Sequence, residues 1–233
     1  LLARMTSDEK TAQLVTLYGY PRVLKDELPT PAWKERAWRD GIGNIDEHHN
    51  GNTGWTNNLA DPEHDLPWSK HVRALNEVQR WFIEETRLGI PVDFTNEGIR
   101  GLLHSRATSF PAAIGVASTW NKALVREIGR VTGREARALG YTNIYSPVLD
   151  VSRDPRWGRV VECYSEDPFL TGTFGVEQVR GIQEQGVVST LKHFAVYSIP
   201  KGGRDGFART DPQASWRDVH SHYLEPYRRA IAE

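Results

Sequence analysis

The feature that most constrains the fold is a repeated order of a short apolar run and a longer amphipathic segment. The clearest case is the stretch from Asn143 to His193, where strand-like runs at residues 143–150 and 187–193 flank a helical segment. The same strand–helix order occurs four times along the chain, without strong hairpin signals. This order predicts an α/β chain with a parallel sheet.

Four such units make half of an eight-stranded barrel, and a half barrel has two open parallel edges. The last predicted helix runs into the end of the chain at Glu233, and the chain starts at Leu1 without a methionine. We therefore expect that an upstream segment has been removed. We also expect residues 1–233 to be a fragment of a longer protein, or the barrel to be completed elsewhere.

Capping residues and periodicity predict the elements in the first half of the chain. Thr6 to Glu9 form a capping box before a predicted helix that carries Leu14 and Leu17 on its apolar side. Residues 41–45 and 90–95 are predicted strands, and residues 69–88 between them are a predicted amphipathic helix. The apolar face of that helix is predicted to consist of Val72, Leu75, Val78, Phe82 and Ile83.

Similar signals predict the helices of the second half. Asn121 is predicted to cap one helix, and the pair Asp167-Pro168 starts another. Residues 105–120, before the first of these helices, are a predicted loop. The pair Asp211-Pro212 is predicted to start the last helix, which is expected to carry Trp216 on its inward side. Pro226 should kink or divide this helix, because proline removes a backbone donor.

Composition excludes several classes of partner. The net charge is −1, and the 29 basic and 30 acidic residues are dispersed, so no nucleic acid or other polyanion is expected as a partner. No apolar run is long enough to span a membrane. The single cysteine, Cys163, rules out an internal disulfide framework and disfavours a thiolate metal site. The compartment stays open, with a secreted or periplasmic location favoured.

A polar segment at residues 46–68 contains histidines that could be read as metal ligands. These are His48, His49 and His64. Because they lack a tight histidine or carboxylate spacing, solvated loop histidines are the preferred interpretation. No metal and no cofactor is expected.

Charged side chains follow successive predicted strands. Glu97 comes just past the strand at residues 90–95, Arg159 follows the next strand, and Lys192 and His193 close the last one. Each has a structural explanation when taken alone, since Glu97 can be an exposed turn residue and Arg159 can pair with an acid. The acids considered for Arg159 are Asp150, Asp154 and Glu162. A barrel would bring the four side chains to one rim, which favours a binding site.

Seven motifs resemble the N-terminal domain of glycoside hydrolase family 3, to which β-glucosidases and β-xylosidases belong. They are Asn96-Glu-Gly-Ile-Arg-Gly101, Ser109-Phe-Pro-Ala-Ala-Ile-Gly115, Ser146-Pro-Val-Leu-Asp150, Arg153-Asp-Pro-Arg-Trp-Gly-Arg159, Tyr164-Ser-Glu-Asp-Pro168, Thr190-Leu-Lys-His-Phe194 and Gly202-Gly-Arg-Asp205. The resemblance runs from about Thr6 to the end of the chain. It implies a (β/α)8 TIM-type barrel, of which residues 1–233 would be about the first half. The rest of the barrel and an α/β sandwich domain are expected downstream.

The resemblance also implies roles for individual residues. Glu97 resembles the family's acidic residue that holds hydroxyl groups of the non-reducing sugar. Arg159, Lys192 and His193 resemble the family's other contacts to that sugar. Arg204 is similar to a further arginine of the pocket, on a glycine-rich loop.

No catalytic residue is expected within the chain. A retaining glycosidase needs two carboxyl groups about 5–5.5 Å apart. By the resemblance, the nucleophile is an Asp on a later strand and the acid/base comes from the following domain, so both would lie beyond residue 233. Asp154 and Asp205 lie in the wrong motifs for this task, and Asp150 is expected to orient the Arg159 loop and to be held by arginines. We predict that residues 1–233 alone are inactive.

The function implied is a retaining exo-acting β-glycosidase, first of all a β-glucosidase, which acts on terminal non-reducing β-D-glucosyl residues through a covalent glycosyl-enzyme intermediate. Its substrate would be an oligosaccharide or an aryl or alkyl β-glycoside. A homodimer is one assembly to consider. The main alternative is a β-xylosidase or α-arabinosidase of the same family. An acetylhexosaminidase is disfavoured, because the loop at residues 195–203 lacks the histidine of that subgroup.

Two other classes stay open. A non-catalytic sugar-binding protein could use the same residues without a nucleophile. In a phosphate-handling barrel enzyme, Arg159 and Lys192 would bind an anion. No glycine-rich phosphate loop at a strand-to-helix junction supports that class.

Overall fold

The computed structural model describes residues 1–18, 24–25, 28–29, 34–35, 39–46, 68–104, 106–199 and 211–233. The predictions for the histidines of residues 46–68, for Arg204 and for Asp205 fall outside these residues. The chain divides into two compact units. The first consists of residues 1–96, 103–106 and 138–143, and the second of residues 97–102, 107–137 and 144–233.

Five short strands form a parallel sheet, which confirms the predicted α/β class. The strands are β1 (Thr16–Tyr18), β2 (Leu24–Lys25), β3 (Leu28–Pro29), β4 (Asn44–Asp46), β5 (Asp93–Glu97), β6 (Asn143–Tyr145) and β7 (Val188–Ser189). The sheet order is β1-β4-β5-β6-β7, while β2 and β3 pair separately and antiparallel. Strand β1 was not predicted, because Leu17 had been assigned to the preceding helix.

Seven helices of the described residues precede, separate or follow these strands. They are α1 (Ser7–Ala12), α2 (Trp68–Glu85), α3 (Ala113–Ala117), α4 (Lys122–Ala138), α5 (Pro168–Gln183), α6 (Trp216–Asp218) and α7 (Glu225–Ala232). Shorter turns of 3-10 helix lie at Leu2–Arg4 and Val160–Glu162, and a π-helical turn lies at Val219–Tyr223. Helix α3 falls inside the predicted loop at residues 105–120, so that part of the loop prediction is wrong.

In the first unit, the predicted capping box before α1 is confirmed. The Thr6 hydroxyl accepts from the Glu9 backbone N–H at 3.2 Å, and the Glu9 carboxylate accepts from the Thr6 N–H at 2.8 Å. The helix ends at Ala12, however, and the chain then enters β1. Because the helical period stops there, Leu14 is 88% exposed and its predicted place on an apolar helix face is wrong.

Helix α2 buries a face that is rotated from the predicted one. Leu75, Val78 and Phe82 are buried as expected, together with Trp81. Two residues predicted on that face, Val72 and Ile83, are largely exposed. Around the helix axis, at 100° per residue, Leu75, Val78 and Phe82 form the centre of the buried face. Trp81 extends this face at one edge, and Val72 and Ile83 lie past the opposite edge.

In the second unit, both predicted caps are confirmed. The Asn121 side-chain oxygen accepts from the Leu124 N–H at 3.1 Å at the start of α4. The Asp167 carboxylate accepts from the Leu170 N–H at 2.7 Å at the start of α5, with Pro168 in the first turn. Helices α4 and α5 pack closely through glycines, since a Cβ on Gly129 would lie 2.6 Å from a carbonyl oxygen of α5.

The last helical segment begins later than predicted. Ser215, rather than Asp211, caps α6, because its hydroxyl accepts from the Asp218 N–H at 3.1 Å. Trp216 is largely exposed, so its predicted inward position is wrong. The predicted division at Pro226 is confirmed, since α7 begins next to it at Glu225.

Within the described residues, neither a membrane-spanning helix nor a cluster of metal-binding side chains is present. None of the helices in the described part is long and apolar enough to cross a membrane. Among the same residues, no group of three or more His, Cys, Asp or Glu side chains is arranged to hold a metal ion.

Candidate functional site

The second unit brings four of the predicted site residues together. Glu97 is the last residue of β5, and Arg159 lies in the loop after β6. Lys192 and His193 follow β7, where the Lys192 carbonyl oxygen accepts from the Leu149 N–H at 2.7 Å. Arg204, the fifth predicted residue, lies outside the part of the chain that the structure describes.

Glu97 and Lys192 form an ion pair. The Lys192 Nζ lies 2.5 Å from Glu97 Oε2, and the two side chains are 11% and 21% exposed. The ammonium also lies 6.0 Å from the centroid of the Tyr145 ring. A lysine this poorly hydrated needs a counter-charge, and the pair leaves one Glu97 oxygen and further Lys192 N–H groups available to a ligand.

Arg159 forms a bidentate ion pair with Glu162, the acid three residues later. Arg159 Nε donates to Oε1 at 2.7 Å, and Nη2 donates to Oε2 at 2.6 Å. Burial opposes the charge of Arg159, but the two hydrogen bonds that it donates to the Glu162 carboxylate raise its pKa above the ordinary value. Burial would raise the pKa of Glu162, but the hydrogen bonds from Arg159 outweigh it, so this pKa is lowered. Both groups are therefore charged.

His193 bridges Arg159 and Asp150. Arg159 Nη1 lies 3.0 Å from His193 Nε2, and a guanidinium can only donate, so Nε2 accepts. The ring proton is therefore on Nδ1, which donates to Asp150 Oδ2 at 2.6 Å. The His193 backbone N–H donates to the same oxygen at 3.2 Å. These bonds fix the tautomer and the orientation of the ring.

The expectation that arginines hold Asp150 is wrong, because its carboxylate accepts twice from His193. The physical reason is that Glu162 already takes the guanidinium fork of Arg159. The expected role of Asp150 in orienting the Arg159 loop stays a prediction. Of the three acids considered as partners of Arg159, Glu162 is the one that pairs with it. Asp154 pairs with Arg156 instead, at 2.6 Å.

Aromatic rings pack against this cluster. The Tyr197 ring lies 4.8 Å from the His193 ring, and the Arg159 guanidinium carbon lies 5.7 Å from the Tyr197 centroid. Trp157 meets Tyr197 edge-on at 5.3 Å and is buried. Burial also raises the pKa of the neighbouring Cys163 thiol, so this cysteine is not a reactive nucleophile. Sequence reasoning did not identify Tyr197, although it lies only four residues after His193.

The cluster is better suited to binding a neutral polyol than to supplying a catalytic carboxylate. It presents two cations and three carboxylates in two groups: the Glu97–Lys192 ion pair, and the hydrogen-bonded series Asp150–His193–Arg159–Glu162. The two groups are adjacent because Lys192 and His193 are consecutive residues. Each of the three carboxylates already has a partner: Lys192 for Glu97, Arg159 for Glu162, and His193 for Asp150. Charged donors and acceptors held side by side can bind the two hydroxyls of a diol.

The fold and the cluster together define a parallel α/β chain with paired charges after its strands. Residues 8–233 match the family model described as the glycosyl hydrolase family 3 N-terminal domain. The chain therefore belongs to glycosyl hydrolase family 3, as its motifs indicated.

Characterised relatives have similar sequences. The chain is 38% identical over 161 residues to a β-xylosidase of Formosa agariphila, and the alignment covers 63% of this chain and 22% of that protein. It is 34% identical over 163 residues to a periplasmic β-glucosidase of Salmonella typhimurium, and the alignment covers 67% of this chain and 20% of that protein. The chain thus spans about a fifth of the length of these relatives.

Solved structures have a similar fold. A β-glucosidase of Erythrobacter marinus has a TM-score of 0.79 and 30% identity, covering 98% of this chain and 29% of that one. A β-glucosidase of Listeria innocua in complex with glucose has a TM-score of 0.75 and 27% identity, covering 99% of this chain and 30% of that one. These similarities confirm the predicted fold, part of a (β/α)8 TIM-type barrel.

Proposed function

We propose that the protein containing this chain is a retaining exo-acting β-glycosidase, with β-glucosides as its first substrates. The main support for this proposal is the cluster of Glu97, Arg159, Lys192 and His193, in which each charged group is fixed by a partner. We assign these four residues to the sugar at the non-reducing end of the substrate. Arg204 is a further candidate from the sequence.

The ion pair of Glu97 and Lys192 suits a vicinal diol. One hydroxyl would donate to the carboxylate while its neighbour accepts from the ammonium. Arg159 would add charged donors on the same side. Because these groups are oriented before the sugar arrives, little reorganisation is needed during the reaction.

The chemical step needs two further carboxyl groups about 5–5.5 Å apart, one as nucleophile and one as acid/base. The carboxylates of the cluster are engaged by Lys192, Arg159 and His193, which argues against a catalytic task for them. We propose that the nucleophile and the acid/base come from parts of the protein beyond residue 233. The rest of the barrel and an α/β sandwich domain would supply them.

Named relatives support this proposal. Listeria innocua β-glucosidase has been solved in complex with glucose, isofagomine and gluconolactone, and a mutant of it in complex with laminaribiose. These ligands are glucose-like or glucose-containing. By this analogy, the substrate is an oligosaccharide or an aryl or alkyl β-glucoside.

A β-xylosidase is the second candidate. It is favoured by the similarity to the β-xylosidase of Formosa agariphila, which is 38% identical over the matched residues. The two candidates differ in whether the pocket accepts the hydroxymethyl group of glucose. Their relative kcat/KM on matched aryl glycosides separates them.

The test is hydrolysis of an aryl β-glucoside and an aryl β-xyloside by the natural-length protein, with two arginine variants. Arg159→Ala should lower kcat/KM by about 10²–10³-fold, because charged contacts in the transition state are lost. Arg156→Ala is the matched control, since this residue of the same loop is 76% exposed in its side chain and pairs only with Asp154. It should leave turnover close to wild type.

Two results would contradict the proposal. Equal turnover by Arg159→Ala and the wild type would remove Arg159 from the sugar site. A folded wild-type protein that hydrolyses neither glycoside would favour a non-catalytic sugar-binding protein.

A further inference from the structure

A concave region lies in the second unit, lined in part by residues of the loop that carries Arg159. It encloses about 430 Å³, within the range of roughly 300–1,000 Å³ that small-molecule sites occupy. Its floor is apolar and includes Ala117, Val160 and Leu170. None of Glu97, Lys192 and His193 lines it, so it differs from the cluster described above.

An exposed tryptophan stands at the edge of this groove. Trp120 lines the groove and is 75% exposed. Its φ is +54°, a left-handed conformation that costs a non-glycine residue about 1–2 kcal/mol. The chain holds it firmly, because the Trp120 N–H donates to the Ala117 carbonyl at 3.0 Å and the next residue, Asn121, caps α4. Glycine or asparagine would suit this backbone better, and the exposed indole ring buries little surface to offset the strain.

Polar side chains also line the groove, and among the described residues no cationic side chain lines it. Ser118, Ser152 and Ser165 contribute hydroxyls, and Glu166 contributes an exposed carboxylate. A carboxylate disfavours phosphate groups, while hydroxyls and a carboxylate suit the hydroxyls of a sugar. The flat face of an indole suits the C–H face of a sugar ring, with its polar edge left hydrated.

We propose that this groove is a second carbohydrate-binding site, which takes a segment of a β-linked glucan with one ring stacked on Trp120. The choice of glucan rests on the proposed function, whereas the site itself rests on the groove and on Trp120. Val160, in its floor, directly follows Arg159 in the chain. The groove therefore shares a loop with the first site but not its charged residues.

The test is native electrophoresis of the natural-length protein in gels that contain a soluble mixed-linkage β-1,3/1,4-glucan. All variants carry Arg159→Ala, so that binding and hydrolysis at the first site are weakened to the same extent in each of them. The Arg159→Ala protein should be retarded, and adding Trp120→Gly should weaken glucan binding by about tenfold or more. Glycine accommodates φ +54°, so this variant should unfold at the same temperature or higher.

Trp216 provides the matched control, since it is 78% exposed but does not line the groove. Arg159→Ala with Trp216→Ala should be retarded as strongly as Arg159→Ala alone. Equal retardation of the Trp120→Gly variant would overturn the proposal. So would the absence of any retardation of Arg159→Ala, which would mean that glucan binds only at the first site or that another part of the protein covers the groove. Hydrolysis of aryl glycosides by the wild type tests the proposed function separately.

Discussion

At the scale of single residues, acids that are not assigned to the sugar order the cluster. Glu162 holds the Arg159 guanidinium through two hydrogen bonds, and Asp150 holds the His193 ring and backbone. Each acid therefore fixes the orientation of a residue that is proposed to contact the sugar. We expect the cluster to keep its geometry before substrate binds. Under the proposed function, Asp150 and Glu162 are positioning residues.

Replacing Asp150 with asparagine tests this positioning. In Asp150→Asn the carboxylate charge is lost and one acceptor oxygen becomes a donor group, so the His193 ring and backbone N–H lose the charged acceptor that orients them. We expect kcat/KM on an aryl β-glucoside to fall by about 10²-fold in the natural-length protein. Asp154→Asn is the control, because Asp154 lies in the same loop and pairs with Arg156.

A purely structural role for Asp150 would give a different result. It would lower the unfolding temperature and leave kcat of the folded protein at the wild-type value. A positioning role lowers kcat with little change in unfolding temperature. Equal kcat/KM for Asp150→Asn and Asp154→Asn would contradict the assignment.

The sequence predicted which residues meet at the site better than how they pair. Glu97, Arg159 and Lys192 follow strands, and parallel strands place their C-terminal ends at one edge. The partner of Arg159 depends on the turn of 3-10 helix at Val160–Glu162, which places Glu162 beside it. No periodicity in the sequence reveals that short turn, which is why Asp150 was assigned to the wrong partner.

At the scale of elements, the second unit depends on close contact between α4 and α5. A Cβ on Gly129 would lie 2.6 Å from the Gln178 carbonyl oxygen and 3.1 Å from the Gly181 Cα. Both neighbours are backbone atoms, which cannot move aside without displacing a helix. The two helices also share ion pairs, such as Arg130 with Glu184 at 2.7 Å.

Adding a methyl group at this contact should destabilise the protein. We expect Gly129→Ala to lower the free energy of unfolding by about 1–3 kcal/mol, because overpacking outweighs the helix propensity gained from alanine. Gly115→Ala in α3 is the control, since its Cβ would meet only Pro111 at 3.9 Å. Chemical denaturation of both variants measures the difference. If Gly129→Ala is as stable as Gly115→Ala, the helices do not pack this closely.

Long periodic elements were predicted well and short ones were not. Helices α4 and α5 carry caps and a continuous apolar pattern, and their existence and starts were predicted correctly. Strand β1 has three residues and α3 has five, so neither is long enough to show a period. The rotation of α2 was missed because Trp81 was not counted among its apolar residues.

At the scale of the whole molecule, the sheet order supports a longer barrel. Strands β1 and β7 are the outer strands of the described five-stranded sheet. In a parallel barrel such strands pair with further strands, because an open edge exposes unpaired backbone groups. We propose that later barrel strands pair here, and that one of them carries the nucleophile.

This arrangement predicts that residues 1–233 alone are inactive while the natural-length protein hydrolyses an aryl β-glucoside. The carboxylates of Glu97, Asp150 and Glu162 are engaged by neighbouring donors, so the described cluster supplies neither a free nucleophile nor an acid for the leaving group. The measurement is release of the aryl group by both proteins at equal concentration, with circular dichroism to establish that the shorter chain is helical. Turnover by the shorter chain that Arg159→Ala abolishes would place both catalytic carboxyl groups within these residues.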